Sequence, residues 1–167
     1  MTDETNVPES KRVLLSTHGE YLEAMEQVFG LVRKELRIFD PDMSRLQIDT
    51  PHCNDILRSF LLGGRDNRLY IAVHGTDFIR SYCPRLLDLL RLFSDRMFVH
   101  QTQDDAARAQ DCFVLADELH SVRRPVQAQP RAVLRLHDPQ EGLGLHQRFG
   151  EIWDSSVPAV SATTSGL

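Results

Sequence analysis

Acids and histidines follow three predicted strands of the chain. Asp40 ends one strand, His74 and Asp77 follow the next, and His100 ends a third. In an open α/β sheet, ligands gather beyond the carboxyl ends of parallel strands. These four side chains are therefore candidates for a polar pocket, a metal site or a relocated catalytic site. Their spacing matches no metal-ligand motif, and we prefer the interpretation that they cap helices and satisfy loop amides.

A thiol begins the apolar stretch that occupies residues 112–116. A short apolar run with a β-branched and an aromatic residue predicts a buried strand over Cys112–Ala116. Cys112 follows Asp111, whose negative charge would raise the pKa of the thiol and make it less reactive. A buried structural cysteine is therefore preferred over a reactive one.

Two adjacent arginines, Arg123 and Arg124, lie close in sequence to Arg131. Guanidinium groups bind carboxylates and phosphates, so this group could bind an anion or an acidic partner. We prefer an ordinary solvated hairpin, because the arginines of this chain are scattered. Residues 63–65, Gly-Gly-Arg, lack the Lys-Ser/Thr pair of a phosphate loop and indicate a helix end, and no GxSxG, HExxH or GxGxxG motif occurs. We therefore predict no cofactor and no metal.

The composition is that of an ordinary globular protein. The 167 residues are 41% hydrophobic and 26% charged, close to the roughly 150 residues expected of one domain. The formal net charge of −5 argues against nonspecific nucleic-acid binding, which depends on neutralising phosphates. Three cysteines without CxxC spacing indicate reduced thiols. Without a signal peptide or an apolar membrane span, a cytoplasmic location with no membrane association is expected.

Strands and helices alternate along the predicted domain. This order predicts an α/β fold with a mixed, mostly parallel sheet flanked by helices. Strands are predicted at residues 12–15, 35–39, 68–73, 97–100, 112–116 and 132–136. Helices are predicted at about 18–33, from 52 or 54 to 61, from 77 or 81 to 93, and at 138–153. The domain is expected to span residues 11–155, with disordered tails at 1–10 and 156–167.

This order of elements resembles the phospholipase D-like superfamily. The likeness covers about residues 12–155 and rests on three segments. Residues 36–41 (Leu-Arg-Ile-Phe-Asp-Pro) look like the first core strand, and residues 113–117 (Phe-Val-Leu-Ala-Asp) look like the strand that carries the catalytic motif. Residues 136–139 followed by 146–153, with their Asp-Pro start and Phe-x-x-x-Trp end, look like the closing strand and helix.

The catalytic motif of that superfamily is His-x-Lys-x-x-x-x-Asp. Its His attacks phosphorus and its Lys stabilises the phosphate charge. Aligning Asp117 with the motif Asp puts Gln110 at the His position and Cys112 at the Lys position. An amide is not a nucleophile at phosphorus, and a thiol offers no positive charge to a phosphoryl oxygen. The resemblance thus implies a single degenerate half of a bacterial branch, in which Asp117 keeps a structural role at a strand–turn junction.

Three functional hypotheses follow from the sequence. We prefer a catalytically inactive phospholipase D-like domain that acts as a binding or assembly module. A homodimer is possible, because the superfamily pairs two halves. The alternative is an enzyme of phosphodiesterase or hydrolase type, with its active site relocated to the carboxyl ends of the strands. A nucleic-acid-associated remnant is disfavoured by the acidic net charge.

Overall fold

Eight strands form one sheet in the computed structural model, which describes residues 7–161. The strands are β1 (Lys11–Leu15), β2 (Glu35–Asp40), β3 (Arg68–Val73), β4 (Met97–Thr102), β5 (Cys112–Ala116), β6 (His120–Arg124), β7 (Ala132–Leu136) and β8 (Ser156–Val160). Their spatial order is β1-β7-β6-β5-β2-β3-β4-β8. Strand β5 therefore lies in the centre of the sheet.

The sheet is mixed, as the sequence predicts. Only β2–β3 and β3–β4 pair in parallel. Among the described strands the other pairs are antiparallel, so the parallel part is smaller than expected. The reason lies in the connections. Parallel neighbours need long crossovers, whereas β5, β6 and β7 follow one another through short turns.

Helices cover both faces of the sheet. They are α1 (His18–Leu31), α2 (Pro51–Leu62), α3 (Asp77–Tyr82), α4 (Pro84–Leu92) and α5 (Pro139–Asp154), and a 3₁₀ helix spans Asp104–Arg108. The first four helices contribute to the larger apolar core, and α5 packs on the opposite face. The predicted start of α1 is confirmed, since Thr17 Oγ1 accepts a hydrogen bond from the Glu20 amide at 3.1 Å.

Strand β5 is buried on both faces. Cys112, Val114 and Ala116 belong to the core beneath α1, and Phe113 and Leu115 belong to the core beneath α5. Alternate residues of a strand point to opposite faces, so a strand with helices on both sides needs apolar residues throughout. This explains why the stretch lacks the alternation of polar and apolar residues seen in half-exposed strands.

The predicted tails need correction at the carboxyl-terminal end. The expected disordered tail began at residue 156, but Ser156–Val160 forms β8 and pairs antiparallel with β4. The open edge of β4 supplies hydrogen bonds that the sequence of β8, a short segment with a central proline, does not predict. Residues 7–10 have no regular structure, and Ser10 Oγ donates to His137 O at 2.6 Å. The remaining tail predictions, for residues 1–6 and 162–167, lie outside the described residues.

None of the helices between residues 7 and 161 has the length and apolar character needed to cross a bilayer.

Candidate functional site

A pocket of about 280 Å³ opens where the amino end of β5 meets the carboxyl end of β2. These ends are adjacent because the two strands are antiparallel and Phe39 pairs with Phe113. The polar side chains on its wall come from β2, the loop after β2, β5, β6 and the loop after β6. They are Asp40, Asp42, Ser44, Arg45, Cys112, Arg124 and Gln127.

Asp40 is a buried carboxyl group in the pocket, with 6% of its surface exposed. Its Oδ2 accepts hydrogen bonds from the amides of Met43 at 2.7 Å and Asp42 at 3.2 Å. These bonds hold the sharp turn after β2, as short acidic side chains commonly do. Burial raises the pKa of Asp40, although the two amide hydrogen bonds act in the opposite direction.

Cys112 is a buried thiol that packs against α1, with 1% of its surface exposed. The Tyr21 hydroxyl donates to its sulfur at 3.9 Å. Burial, reinforced by the negative charge of Asp40, raises the pKa of the Cys112 thiol to about 11. The thiolate is the reactive form, so this cysteine is a poor nucleophile near neutral pH. The structural interpretation of Cys112 agrees with this geometry.

Arg124 lies opposite Cys112 in the β5–β6 register and is 3% exposed. Its guanidinium carbon lies 4.3 Å from the centre of the Tyr21 ring. Its Nη2 donates to His18 Nδ1 at 3.0 Å, and His18 Nε2 donates to Arg45 O at 2.8 Å. Donation to Nδ1 requires that nitrogen to be unprotonated, which places the ring proton of His18 on Nε2. The solvated hairpin that we preferred for Arg124 is wrong, because β6 is an inner strand of the sheet.

Arg123 points to the other face of the sheet and binds Asp111. Asp111 is 3% exposed and lies between Arg123 and Arg148, with Nη2–carboxylate distances of 3.1 and 2.5 Å. Burial alone would raise the pKa of Asp111, but the hydrogen bond and charge of Arg148, helped by Arg123, lower it overall. Arg123 is thus engaged by an acid of the same chain.

Gln110 lies outside the pocket wall. Its side chain is exposed, and its Nε2 donates to Arg108 O at 3.1 Å. Its own backbone oxygen accepts from the Gln127 amide at 2.7 Å. The amide side chain is therefore turned toward the preceding 3₁₀ segment.

Asp117 lies at the opposite end of β5 from the pocket. Its carboxylate accepts hydrogen bonds from the backbone amides of Arg33, Lys34 and Glu35 at 2.6, 2.7 and 2.9 Å. Its own backbone is left-handed, with φ of 55°. Asp117 thereby joins the β5–β6 turn to the segment that starts β2, which is the strand–turn role expected from the sequence.

The candidate residues at the strand ends do not converge. His74 hydrogen-bonds Thr102 Oγ1 at 2.6 Å and Ala109 O at 3.0 Å. His100 stacks on Trp153 with 3.6 Å between ring centres, contacts Ser156 Oγ at 2.8 Å, and has its pKa lowered by burial. Asp77 is exposed on α3. Of the four, Asp40 alone lies on the pocket wall, and no cluster of three potential metal ligands occurs within residues 7–161.

A family model for a domain of unknown function, DUF7931, matches residues 17–162. The chain belongs to the DUF7931 family. No curated protein has a matching sequence.

Solved structures share the fold of this DUF7931 domain. Nuc from Salmonella typhimurium, a phospholipase D family member, has a TM-score of 0.58 at 9% identity over 92% of this chain and 100% of its own. Phosphatidylserine synthase from Haemophilus influenzae has a TM-score of 0.58 at 16% identity over 92% and 40%. TrmBL2, an archaeal chromatin protein with a novel mode of DNA binding, has a TM-score of 0.66 at 8% identity over 89% and 55%. The chain thus spans about half of TrmBL2, and its phospholipase D-like fold is confirmed.

Sequence reasoning missed part of the pocket wall of the DUF7931 domain and two side chains that contact Arg124. His18 and Tyr21 come from α1, and Arg45 and Gln127 come from loops that carry no motif. Helical spacing identifies Tyr21 as a core residue at most. These side chains meet only because α1 packs across β5 and β6, a contact that no local pattern encodes.

Proposed function

We propose that this DUF7931 domain is a phospholipase D-like binding module that does not cleave phosphodiesters. The observation that carries the proposal is the pair of side chains at the amino end of β5. Gln110 is an exposed amide bonded to its own loop, and Cys112 is a thiol buried against Tyr21. In the superfamily that this chain resembles, the corresponding positions hold the nucleophile and the cation that stabilises the phosphate.

The remaining motif position supports the same proposal. Asp117 uses both carboxylate oxygens to bind backbone amides. It lies at the far end of β5 from the pocket, so it contributes to the fold and leaves the pocket to other residues. A scaffold that keeps this acid while lacking the reactive pair is what we expect of a domain retained for binding.

The alternative, an enzyme with relocated chemistry, has less support. It needs two of His74, Asp77 and His100 within hydrogen-bond reach of each other. Both ring nitrogens of His74 bond other groups, His100 is stacked on Trp153, and Asp77 lies apart on α3. A homodimer remains a prediction that rests on the superfamily resemblance alone.

Nucleic acid is the partner suggested by the similarity of fold to TrmBL2. We propose that this chain does not bind nucleic acid. Its net charge is −5, and two of its arginines, Arg123 and Arg148, are already paired with Asp111. DNA affinity depends on phosphate neutralisation by unpaired basic side chains.

One experiment tests both parts of the proposal. The purified chain is incubated with bis(p-nitrophenyl) phosphate, and separately with plasmid DNA that is then run on a native gel at low salt. We expect no hydrolysis above the buffer rate, no nicking and no retardation of the plasmid. The control is the matched pair of variants Gln110→Ala and Cys112→Ala. Hydrolysis that disappears in either variant would overturn the proposal, and retardation that weakens with added salt would establish DNA binding.

A further inference from the structure

We propose that the pocket between β2, β5 and β6 binds a small molecule through an oxyanion group, a carboxylate or a phosphate, with Arg124 as the principal cation. This inference rests on the proposed binding function and names its site and ligand class. It uses residues outside the motif positions that the superfamily resemblance implies.

The first support is a buried cation without an ion pair. Arg124 is 3% exposed and forms no salt bridge within residues 7–161; it contacts the His18 ring nitrogen and the face of Tyr21. Burial raises the pKa of Asp40 and the charge of Arg124 acts to lower it, but no hydrogen bond joins these two side chains. Asp111, the buried acid on the other face, has two arginines bound to it. Buried charges are ordinarily paired, because removing an ion from water is costly. A ligand anion would supply the partner that Arg124 lacks.

The second support is a pair of unsatisfied polar atoms on the same wall. Within residues 7–161, Arg124 Nε and Gln127 Oε1 are buried and have no hydrogen-bond partner. Buried polar groups are nearly always bonded, so each exception calls for an explanation. An oxyanion can accept two parallel hydrogen bonds from one edge of a guanidinium group, and a ligand hydroxyl can donate to the amide oxygen of Gln127.

The other charged groups on the wall are compatible with an anion. The Oδ2 atom of Asp40 accepts hydrogen bonds from the amides of Met43 and Asp42, so its charge is partly satisfied by the backbone. The Oδ1 atom of Asp42 accepts hydrogen bonds from the amide and the hydroxyl of Ser44. The exposed side chain of Arg45 adds a second positive charge at the rim. The carboxyl group of Asp40 can also bond a ligand hydroxyl.

The pocket has room for a small metabolite. A volume of about 280 Å³ equals the space of roughly nine liquid waters, at about 30 Å³ each. A molecule of about ten to fifteen non-hydrogen atoms with one oxyanion and one or more hydroxyl groups fits this space and these partners. A hydroxy acid and a phosphorylated small polyol both meet the description.

The test is calorimetric titration of the full chain with inorganic phosphate, glycerol 3-phosphate and malate at constant ionic strength. We expect either the phosphate probes or malate to bind, and the class that binds identifies the oxyanion. Arg124→Lys, which loses the planar guanidinium group, should weaken binding at least tenfold. Arg45→Gln and Gln127→Leu leave the core intact and should weaken binding of the probe about threefold or more. These two variants test the inference even if Arg124→Lys does not fold.

The matched control is Arg131→Gln. Arg131 is an exposed arginine in the segment between β6 and β7, which also contains Gln127, but Arg131 does not line the pocket. It should bind as the unaltered chain does. Binding of neither probe class, or equal weakening by Arg131→Gln and Arg45→Gln, would overturn the inference. If no probe binds and no phosphodiester is hydrolysed, this inference alone fails. Hydrolysis of bis(p-nitrophenyl) phosphate would instead remove the proposed function on which it rests.

Discussion

Gly142→Ala is expected to lower the free energy of unfolding by about 3 kcal/mol or more, and the variant should fail to fold at physiological temperature if the native stability is modest. Gly142 lies in the first turns of α5, against the turn between β5 and β6. A Cβ atom there would lie 1.7 Å from Glu118 O and 2.2 Å from Glu118 C. Both atoms belong to the backbone, so no side-chain rotation can relieve the overlap.

Two glycines of the same helix provide matched controls. A Cβ atom at Gly144 or Gly150 meets nothing within 4 Å. Alanine is favoured over glycine in helix interiors by about 1 kcal/mol, so Gly144→Ala and Gly150→Ala should raise stability slightly. Urea unfolding followed by far-ultraviolet circular dichroism measures all three. Equal midpoints for Gly142→Ala and Gly144→Ala would contradict the close packing of α5 on this turn.

Asp117→Ala should lower the free energy of unfolding by about 3 kcal/mol. The variant loses three hydrogen bonds from backbone amides to a carboxylate, and it places alanine in a left-handed conformation. Because Arg33 and Lys34 are exposed, water replaces part of what is lost, which keeps the effect below the sum of three charged hydrogen bonds.

Asp117→Asn is the more conservative substitution at this position and is compared with Asp117→Ala. Its single carbonyl oxygen can still accept from Lys34 and Glu35, and asparagine tolerates the left-handed backbone. We expect a loss of about 1 kcal/mol, measured by the same urea unfolding. If alanine and asparagine leave the midpoint unchanged, Asp117 does not hold the turn, and its retention would need a functional explanation.

The parts of this fold that were predictable are those specified by local sequence. β3 and β5 have the predicted bounds because each is a continuous apolar run, and Thr17 with Glu20 marks the start of α1. β8 was missed because its pairing depends on the open edge of β4 and not on its own residues.

The candidate site was predictable only in its separate residues. Arg124 was named as a possible anion-binding residue, but the polar sequence of β6 gave no sign that this strand is an inner one. Asp40 and Cys112 are 72 positions apart in sequence and become neighbours through the antiparallel pairing of β2 with β5. Such pairing is a property of topology, and periodicity along the chain does not encode it.

The proposed lack of phosphodiester cleavage rests on the burial of Cys112, at the amino end of β5, in the core. The most direct measurement is the rate at which Cys112 of the native chain reacts with N-ethylmaleimide at pH 7.5, followed by peptide mass spectrometry. With 1% of the residue exposed and its pKa raised from 9.0 to about 11, the account predicts labelling at least about 100-fold slower than in urea-unfolded protein. Labelling of Cys112 in the native chain as fast as in the unfolded chain would place a reactive group in the pocket and contradict the account.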